Sequence, residues 1–294
     1  MSHAPYALTL VAARDAATLT DATLNRVRDA VGAGAPVVLS PGEAADFPCP
    51  APPEMARVAA ALDGAPVDAV VTRGEGRRKR LLVADMDSTI VTSETLDEIA
   101  AHAGLKERVA EITRRSMNGE LDFAAALRER VGLLRGLGLD ALERTWEQTR
   151  LTPGAQELVA TMRAHGAKTA LVSGGFTYFT ERVAALCGFD VHRANTLLDD
   201  GRALTGEVGE PILDRDAKLA TLRELVAKNW LSLDETLAVG DGANDLAMIG
   251  AAGLGVAYRA KPIVAAEAQA RIDHADLRAL LFIQGYSARE FVSA

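Results

Sequence analysis

The chain has 294 residues, of which 49% are hydrophobic and 24% are charged, and its formal net charge is −8. This composition excludes wholesale disorder, and at roughly 150 residues per domain the length predicts about two domains. An acidic chain without a dominant basic surface is a poor candidate for binding nucleic acid or an anionic membrane. No signal peptide is apparent, and no apolar run approaches the ~20 residues that span a bilayer. Two separated cysteines, Cys49 and Cys187, favour neither a disulfide framework nor a zinc site, so a cytoplasmic location is expected.

Residues 1–73 are predicted to form a small α/β domain. Two helical patterns separate three strand-like runs, which are residues 6–12, 36–39 and 67–72. Gly32 and Gly34 are expected to end the first helix. Residues 41–53 contain five prolines and are predicted to be a loop.

Residues 74–80 have the sequence GEGRRKR and mark a boundary. A basic tetrapeptide can contact nucleic acid. Because no other stretch of the chain is basic, we interpret these residues as a solvated basic linker.

The pattern after the linker predicts an α/β domain over residues 81–294 with a doubly wound parallel sheet. Residues 81–84 form a continuous apolar run, which is typical of a parallel strand buried on both faces. Further apolar runs alternate with helical patterns, which favours parallel strands joined by helices. The runs are residues 169–172, 237–239 and 254–257, and the helical patterns are residues 155–164, 178–186, 217–228 and 245–252. Residues 93–150 are too long for a simple crossover and predict a helical cap inserted over the sheet.

Polar residues follow the predicted strands at their carboxyl ends, where open α/β sheets bind ligands. Asp85, Asp87 and Asp241 would bring several carboxylates into one crevice, which is costly unless a proton or a cation compensates. Oxygen ligands with room for a phosphate suit Mg²⁺, and Lys218 and Ser173 could contact that phosphate. Each motif alone is composed of turn-forming residues, but the occurrence of all these motifs at predicted strand ends favours a site for Mg²⁺ and phosphate.

These residue types also indicate a reaction. One aspartate can attack phosphorus and form an aspartyl-phosphate. A second aspartate, two residues further on, can protonate the leaving oxygen and later take a proton from water. That role requires a protonated carboxyl group at the start, so we expect the pKa of Asp87 to be raised.

Residues 79–294 resemble the haloacid dehalogenase superfamily and, within it, the phosphoserine phosphatases. The superfamily resemblance rests on DMDST at 85–89, SGGF at 173–176, Lys218 and GDGAND at 240–245. The narrower resemblance rests on SETLDEIA at 93–100, MNG at 117–119, LRERV at 127–131 and VSGGFT at 172–177.

The resemblance implies Mg²⁺-dependent hydrolysis of O-phospho-L-serine through an aspartyl-phosphate, as the last step of serine biosynthesis. Asp85 would be the nucleophile and a metal ligand. Asp87 would be the general acid and base, and its backbone carbonyl would bind the metal. Asp241 would be the remaining carboxylate ligand. Asp245 would lie behind the metal or bind it through water.

The resemblance also implies how the substrate is held. Glu94 would receive the substrate ammonium, and Arg130 offers a planar fork to the carboxylate, which makes independent chemical sense. Apart from the resemblance, Met117 and Phe123 could form an apolar lid that excludes water, or could pack in the core. The phosphoryl group would be held by Ser173, Gly174, Lys218 and Asn244.

Residues 1–73 have an order of elements compatible with the ACT-like, amino-acid-binding modules of longer phosphoserine phosphatases. The prolines at 41–53 depart from such a compact module. Three alternatives stay open: a phosphatase or phosphotransferase for another small ester such as phosphohomoserine, a phospho-acceptor that stores its aspartyl-phosphate, and a serine sensor. A homodimer also stays open.

Overall fold

The structure is a computed structural model that describes residues 4–118 and 120–293, with Met117 described by its backbone alone. Gly119 and the side chain of Met117, which belong to the MNG motif, lie outside the described residues. No helix in the described part of the chain is long and apolar enough to cross a membrane.

The elements follow one another with short connections. The strands are β1 (Tyr6–Ala12), β2 (Val37–Ser40), β3 (Ala44–Cys49), β4 (Val67–Arg73), β5 (Leu81–Ala84), β6 (Lys168–Phe176), β7 (Val191–Asn195), β8 (Leu197–Asp199), β9 (Leu204–Val208), β10 (Thr236–Gly240), β11 (Leu254–Tyr258) and β12 (Ala270–Ile272). The helices are α1 (Asp21–Val31), α2 (Met55–Leu62), α3 (Thr95–Ala101), α4 (Lys106–Met117), α5 (Phe123–Gly132), α6 (Asp140–Gln148), α7 (Ala155–Ala164), α8 (Thr177–Cys187), α9 (Arg215–Lys228), α10 (Leu246–Ala251), α11 (Pro262–Glu267) and α12 (Ala279–Phe282).

The chain divides into two compact units. The first unit comprises the described parts of Met1–Arg80, Pro153–Ala167 and Ala270–Ala294. The second unit comprises Leu81–Thr152 and Lys168–Gln269.

The first unit contains a four-stranded antiparallel sheet in the order β2-β3-β1-β4. With α1 and α2 it forms the split β-α-β arrangement, in which β3 lies between β2 and β1. Leu8, Phe47 and Val58 are fully buried in its core. Thr20 caps the N-terminus of α1, since its hydroxyl accepts from the Thr23 amide, and Gly32 caps the C-terminus, where the helix was expected to end.

The prediction of a loop over residues 41–53 was wrong, because this stretch contains the inner strand β3. Pro48 is tolerated there because the carbonyl of Pro48 faces Gly34, so the missing N–H is not needed for pairing with β1. The first residue of β2, Val37, pairs with Asp46, so β2 does not reach Pro48. The number of prolines therefore did not distinguish a loop from a strand. A strand tolerates a proline wherever the missing N–H is not needed for a hydrogen bond to a neighbouring strand.

The expectation of a solvated linker was wrong for Arg77. Its guanidinium lies 2.6 Å from an Asp46 carboxylate oxygen and also donates to the hydroxyl of Thr9. Both partners are buried in the sheet of the first unit. Arg78 also pairs with Glu290 at 2.6 Å and lies over the ring of Tyr286, so the basic run takes part in the internal contacts of the first unit.

Asp68 on β4 anchors another segment of the first unit. Its buried carboxylate accepts from the backbone amides of Asp273, His274 and Ala275 at 2.8, 3.1 and 2.8 Å. We expect Asp68→Ala to lower the free energy of unfolding by about 2–3 kcal/mol, because hydrogen bonds to a charged acceptor are lost. Urea unfolding measures this, with Asp15→Ala at an exposed position as the control. Equal midpoints for the two variants would contradict the expectation.

The second unit confirms the doubly wound parallel sheet. Its strands lie in the order β11-β10-β5-β6-β7, and each neighbouring pair is parallel. The chain runs from β5 towards β7 on one side and from β10 to β11 on the other. The order of strands therefore reverses between β5 and β10, which is where such sheets bind ligands.

Helices α3, α4, α5 and α6 occupy the segment between β5 and α7 where a helical insertion was expected. Strand β7 and the hairpin β8–β9 were not anticipated. Their short sequences mix polar and apolar residues and lack the continuous apolar run that identified β5.

Candidate active site

Asp85 stands directly at the carboxyl end of β5. Its amide donates to the carbonyl of Val239 on β10, which extends the ladder by one residue and holds Asp85 at the reversal point of the sheet. The helical turn Met86–Ile90 that follows departs from helical φ and ψ at Asp87 and Ser88, and Asp87 lines the same cavity as Asp85. Both aspartates are buried.

Asp87 is held by two hydrogen bonds. One carboxylate oxygen accepts from the amide of Thr95 at 2.8 Å, and the other accepts from the hydroxyl of Ser173 at 3.3 Å. Burial raises the pKa of Asp87, while the hydrogen bond from the Thr95 amide opposes the rise. The direction agrees with the raised pKa expected of a general acid.

Lys218 on α9 is fully buried between two carboxylates. Its Nζ lies 2.8 Å from Asp85 Oδ1 and 2.6 Å from Asp245 Oδ1. Burial alone would lower the pKa of Lys218, but Asp245 and Asp85 outweigh it, so Lys218 stays charged. Burial and Asp245 raise the pKa of Asp85 well above its ordinary value, and Lys218 opposes that rise.

The carboxylates of Asp85, Asp241 and Asp245 could hold a cation. Each offers one oxygen, and these three oxygens lie within 4.8 Å of one another. Neither buried oxygen of Asp241 accepts a hydrogen bond from the described residues, although Lys261 Nζ lies 3.5 Å from one of them. Burial and the charge of Asp245 raise the pKa of Asp241 to about 7. Hard oxygen donors that lack hydrogen bonds fit a divalent cation.

Glu94 and Arg130 lie in the same cavity as the two aspartates at 85 and 87. The hydroxyl of Ser88 donates to Glu94 at 2.5 Å. Burial raises the pKa of Glu94 well above its ordinary value, and the charge of Asp87 adds to that rise. The cavity therefore holds a carboxyl group and a guanidinium beyond the aspartates.

The structure brings together every site residue expected from the sequence. The cavity is lined by Asp85, Asp87, Glu94, Arg130, Ser173, Gly174 and Asn244. Lys218 and Asp241 adjoin it through Asp85. Phe123 also lines the cavity and lies against Gly174, where an added Cβ would be 2.7 Å from the ring.

The sequence patterns did not predict a site role for two neighbours of these residues, Thr113 and Asp97, and predicted only an indirect role for a third, Asp245. Asp245 pairs directly with Lys218, and its helical turn begins only two residues after Asp241. Thr113 contacts both Asp97 and Arg130, and the three residues lie on separate helices. The GDGAND motif was a signal for Asp245, whereas nothing in the sequence connects residues 97, 113 and 130.

Gly175 allows Ser173 and Asp87 to approach. A Cβ at this position would lie 2.6 Å from Asp87 Oδ2 and 3.0 Å from Ser173 Oγ. We expect Gly175→Ala to displace Asp87 and to lower kcat for the reaction at this site by about 10²-fold, because misplaced reacting groups are costly. Gly250→Ala is the matched control, since its Cβ would meet no atom within 4 Å. Full activity of Gly175→Ala would contradict this reading of the turn.

The chain is similar to known hydrolases. Residues 79–253 match the family described as haloacid dehalogenase-like hydrolase. The chain is 44% identical over 228 residues to the phosphoserine phosphatase of Streptomyces coelicolor, which is 77% of this chain and 55% of that protein. It thus spans little more than half the length of that relative.

Two solved structures are also similar. One, described as a phospho-aspartyl intermediate analogue of phosphoserine phosphatase, has a TM-score of 0.67 and 40% identity, covering 70% of this chain and 98% of that one. A probable phosphoserine phosphatase from Vibrio cholerae, in an unliganded form, has a TM-score of 0.78 and 34% identity, covering 98% of this chain and 88% of that one.

Proposed function

The chain belongs to the haloacid dehalogenase-like hydrolases, and on that premise we propose that it hydrolyses O-phospho-L-serine to L-serine and phosphate. One observation carries this proposal: Glu94 and Arg130 line the same cavity as Asp85 and Asp87. Phosphoserine carries an ammonium, a carboxylate and a phosphate, and the cavity offers a partner for each. The related structure described as a phospho-aspartyl intermediate analogue supports a covalent route.

In the first half-reaction, a carboxylate oxygen of Asp85 attacks phosphorus, and the bond between phosphorus and the serine oxygen breaks. Asp87 gives its proton to that oxygen, so serine leaves as the alcohol. Burial raises the pKa of Asp87, which is the direction that a general acid needs.

In the second half-reaction, Asp87 takes a proton from water as the water oxygen attacks the aspartyl-phosphate. The bond between phosphorus and the Asp85 oxygen breaks, and phosphate is released. Both aspartates return to their starting states. Ser173, the Gly174 amide, Lys218 and Asn244 are proposed to hold the phosphoryl oxygens during both steps.

The carboxylates of Asp85 and Asp241, with the backbone carbonyl of Asp87, are proposed to hold Mg²⁺, and Asp245 stands beside them. The buried Asp241 oxygens, which accept no hydrogen bond from the described residues, support this assignment. Bound Mg²⁺ would neutralise charge on the phosphoryl group. A cytoplasmic location stays a prediction, supported by the two buried free cysteines.

A panel of phosphate esters tests the substrate. We expect phosphoserine to give the highest kcat/KM among phosphoserine, phosphohomoserine, phosphoethanolamine and a sugar phosphate, and phosphate release to require Mg²⁺. Arg130→Ala should lose most of the preference for phosphoserine over phosphoethanolamine, which lacks the carboxylate. A higher kcat/KM for phosphohomoserine or the sugar phosphate would instead identify another small-ester phosphatase.

A further inference from the structure

Three buried polar side chains from three helices form a hydrogen-bonded chain that ends at the guanidinium of Arg130. Asp97 on α3 is 8% exposed, Thr113 on α4 is 3% exposed and Arg130 on α5 is 7% exposed. The Thr113 hydroxyl donates to Asp97 Oδ1 at 2.7 Å. The same hydroxyl oxygen accepts from Arg130 Nη1 at 3.0 Å. The side chains thus connect α3, α4 and α5.

The direction of the Thr113 O–H bond determines whether its oxygen can accept a hydrogen bond from Arg130. A hydroxyl has one hydrogen and two acceptor lone pairs. Asp97 Oδ1 is the nearer acceptor, since the carbonyl of Val109 lies at 3.1 Å. With its hydrogen on Asp97, the hydroxyl turns lone pairs towards Arg130 and accepts a charge-assisted hydrogen bond.

Much of the guanidinium stays available to a ligand. Its Nε donates to the carbonyl of Ala126 at 3.2 Å, and one hydrogen of Nη1 goes to Thr113. Among the described residues, the structure assigns no hydrogen-bond acceptor to Nη2 or to the second hydrogen of Nη1. These groups form one edge of the planar fork, which matches the two oxygens of a carboxylate.

Asp97 stabilises the buried charge without occupying the fork. Burial lowers the pKa of Arg130, and Asp97 is the largest opposing influence. The intervening hydroxyl keeps the Asp97 carboxylate from forming a bidentate pair with the guanidinium. A direct pair would use the same donors that a substrate carboxylate needs.

We propose that Thr113 and Asp97 are positioning residues that aim Arg130 into the cavity and make the site selective for phosphate esters that carry a carboxylate. This inference rests on the proposed function, because it assumes that Arg130 binds the substrate carboxylate. Neither residue needs to touch the reacting atoms.

The test compares phosphoserine with phosphoethanolamine, which has the ammonium and phosphate but no carboxylate. Thr113→Val keeps the size of the side chain and removes the hydroxyl. We expect it to lower kcat/KM for phosphoserine by about 10-fold, mainly through KM, because one charge-assisted bond that orients Arg130 is lost. The kcat/KM for phosphoethanolamine should change less than about 2-fold, since that ester has no carboxylate to bind the Arg130 guanidinium. Thr113→Ser, which retains the hydroxyl, should restore the phosphoserine value.

Thr145→Val is the matched control. Thr145 on α6 is also buried, and its hydroxyl donates to the carbonyl of Ala141 at 2.9 Å, four residues earlier, as Thr113 could to Val109. It should leave the ratio of the two kcat/KM values unchanged. Should Thr113→Val not fold, Asp97→Asn provides a second variant and should shift the ratio in the same direction.

The possible outcomes distinguish a failure of this inference from a failure of the proposed function. Thr113→Val could lower kcat/KM equally for both esters and lower the melting temperature, with no recovery in Thr113→Ser. That result would mean that the hydrogen bonds from Asp97 through Thr113 to Arg130 are only structural, and it would overturn the inference. An unchanged ratio in both Thr113→Val and Asp97→Asn, while Arg130→Ala loses the preference, would overturn it and leave the proposed function intact. A wild-type protein that does not hydrolyse phosphoserine would overturn both.

Discussion

Asp85→Asn is expected to lower kcat for phosphoserine hydrolysis by about 10⁴-fold or more, because an amide cannot replace the carboxylate as nucleophile. Asp85 stands at the reversal point of the sheet, 2.8 Å from Lys218 and within 4.8 Å of the Asp241 and Asp245 oxygens. The variant should fold, since the amide of residue 85 still pairs with Val239 and Lys218 keeps its contact with Asp245. Phosphate release at saturating substrate and Mg²⁺ measures the effect.

Asp87→Asn serves as the comparison for that experiment. Losing a general acid and base typically costs about 10²–10⁴-fold, so this variant should be slow while it still binds substrate. Its retained hydrogen-bonding capacity towards Thr95 and Ser173 should keep the turn in place. Turnover at the wild-type rate in Asp85→Asn would show that the covalent mechanism is wrong.

Lys218→Met should lower the free energy of unfolding by about 3–5 kcal/mol in the presence of a chelator, because removing one partner leaves buried charge uncompensated. Lys218 is fully buried and lies within 2.8 Å of both Asp85 and Asp245. Without it, two carboxyl groups face one another, and one of them must take up a proton or attract another cation. Addition of Mg²⁺ should recover part of the loss and should not restore turnover.

Urea unfolding with and without Mg²⁺ measures that change. Lys228→Met is the control, because Lys228 lies at the exposed end of the same helix. A wild-type unfolding midpoint for Lys218→Met in chelator would mean that the ion pairs contribute no net stability. Recovery of turnover by Mg²⁺ alone would contradict a role for Lys218 in holding the phosphoryl group.

The local chemistry of the chain was enough to identify most of the second unit. Strand β5 is buried on both faces, so its four residues are all apolar, and Asp85 directly after it marks the carboxyl edge. The helical spacing of apolar residues also predicted α8 over residues 178–186, one residue short of its observed bounds at each end. Parallel strands place their carboxyl ends at one edge of the sheet, so the motifs at the carboxyl ends of β5, β6 and β10 had to meet there.

The first unit shows where such patterns are insufficient. Strand β3 has a proline inside it, and only its register against β1 and β2 shows that no ladder bond is lost. The basic run at 77–80 looks solvated until Arg77 is seen beside Asp46, 31 residues earlier in the chain. Pairings between distant segments have no periodicity, so no local pattern indicates them.

The same limit applies within the site. Strand order and motif spacing were sufficient to predict that Asp85, Asp87 and Asp241 lie close together, because residues that follow neighbouring parallel strands lie at the same edge of the sheet. The link from Asp97 through Thr113 to Arg130 depends on how α3, α4 and α5 pack, and each residue alone looks like an ordinary helical position. Side-chain hydrogen bonds act over about 3 Å, so their partners are settled only when packing fixes the helices relative to one another.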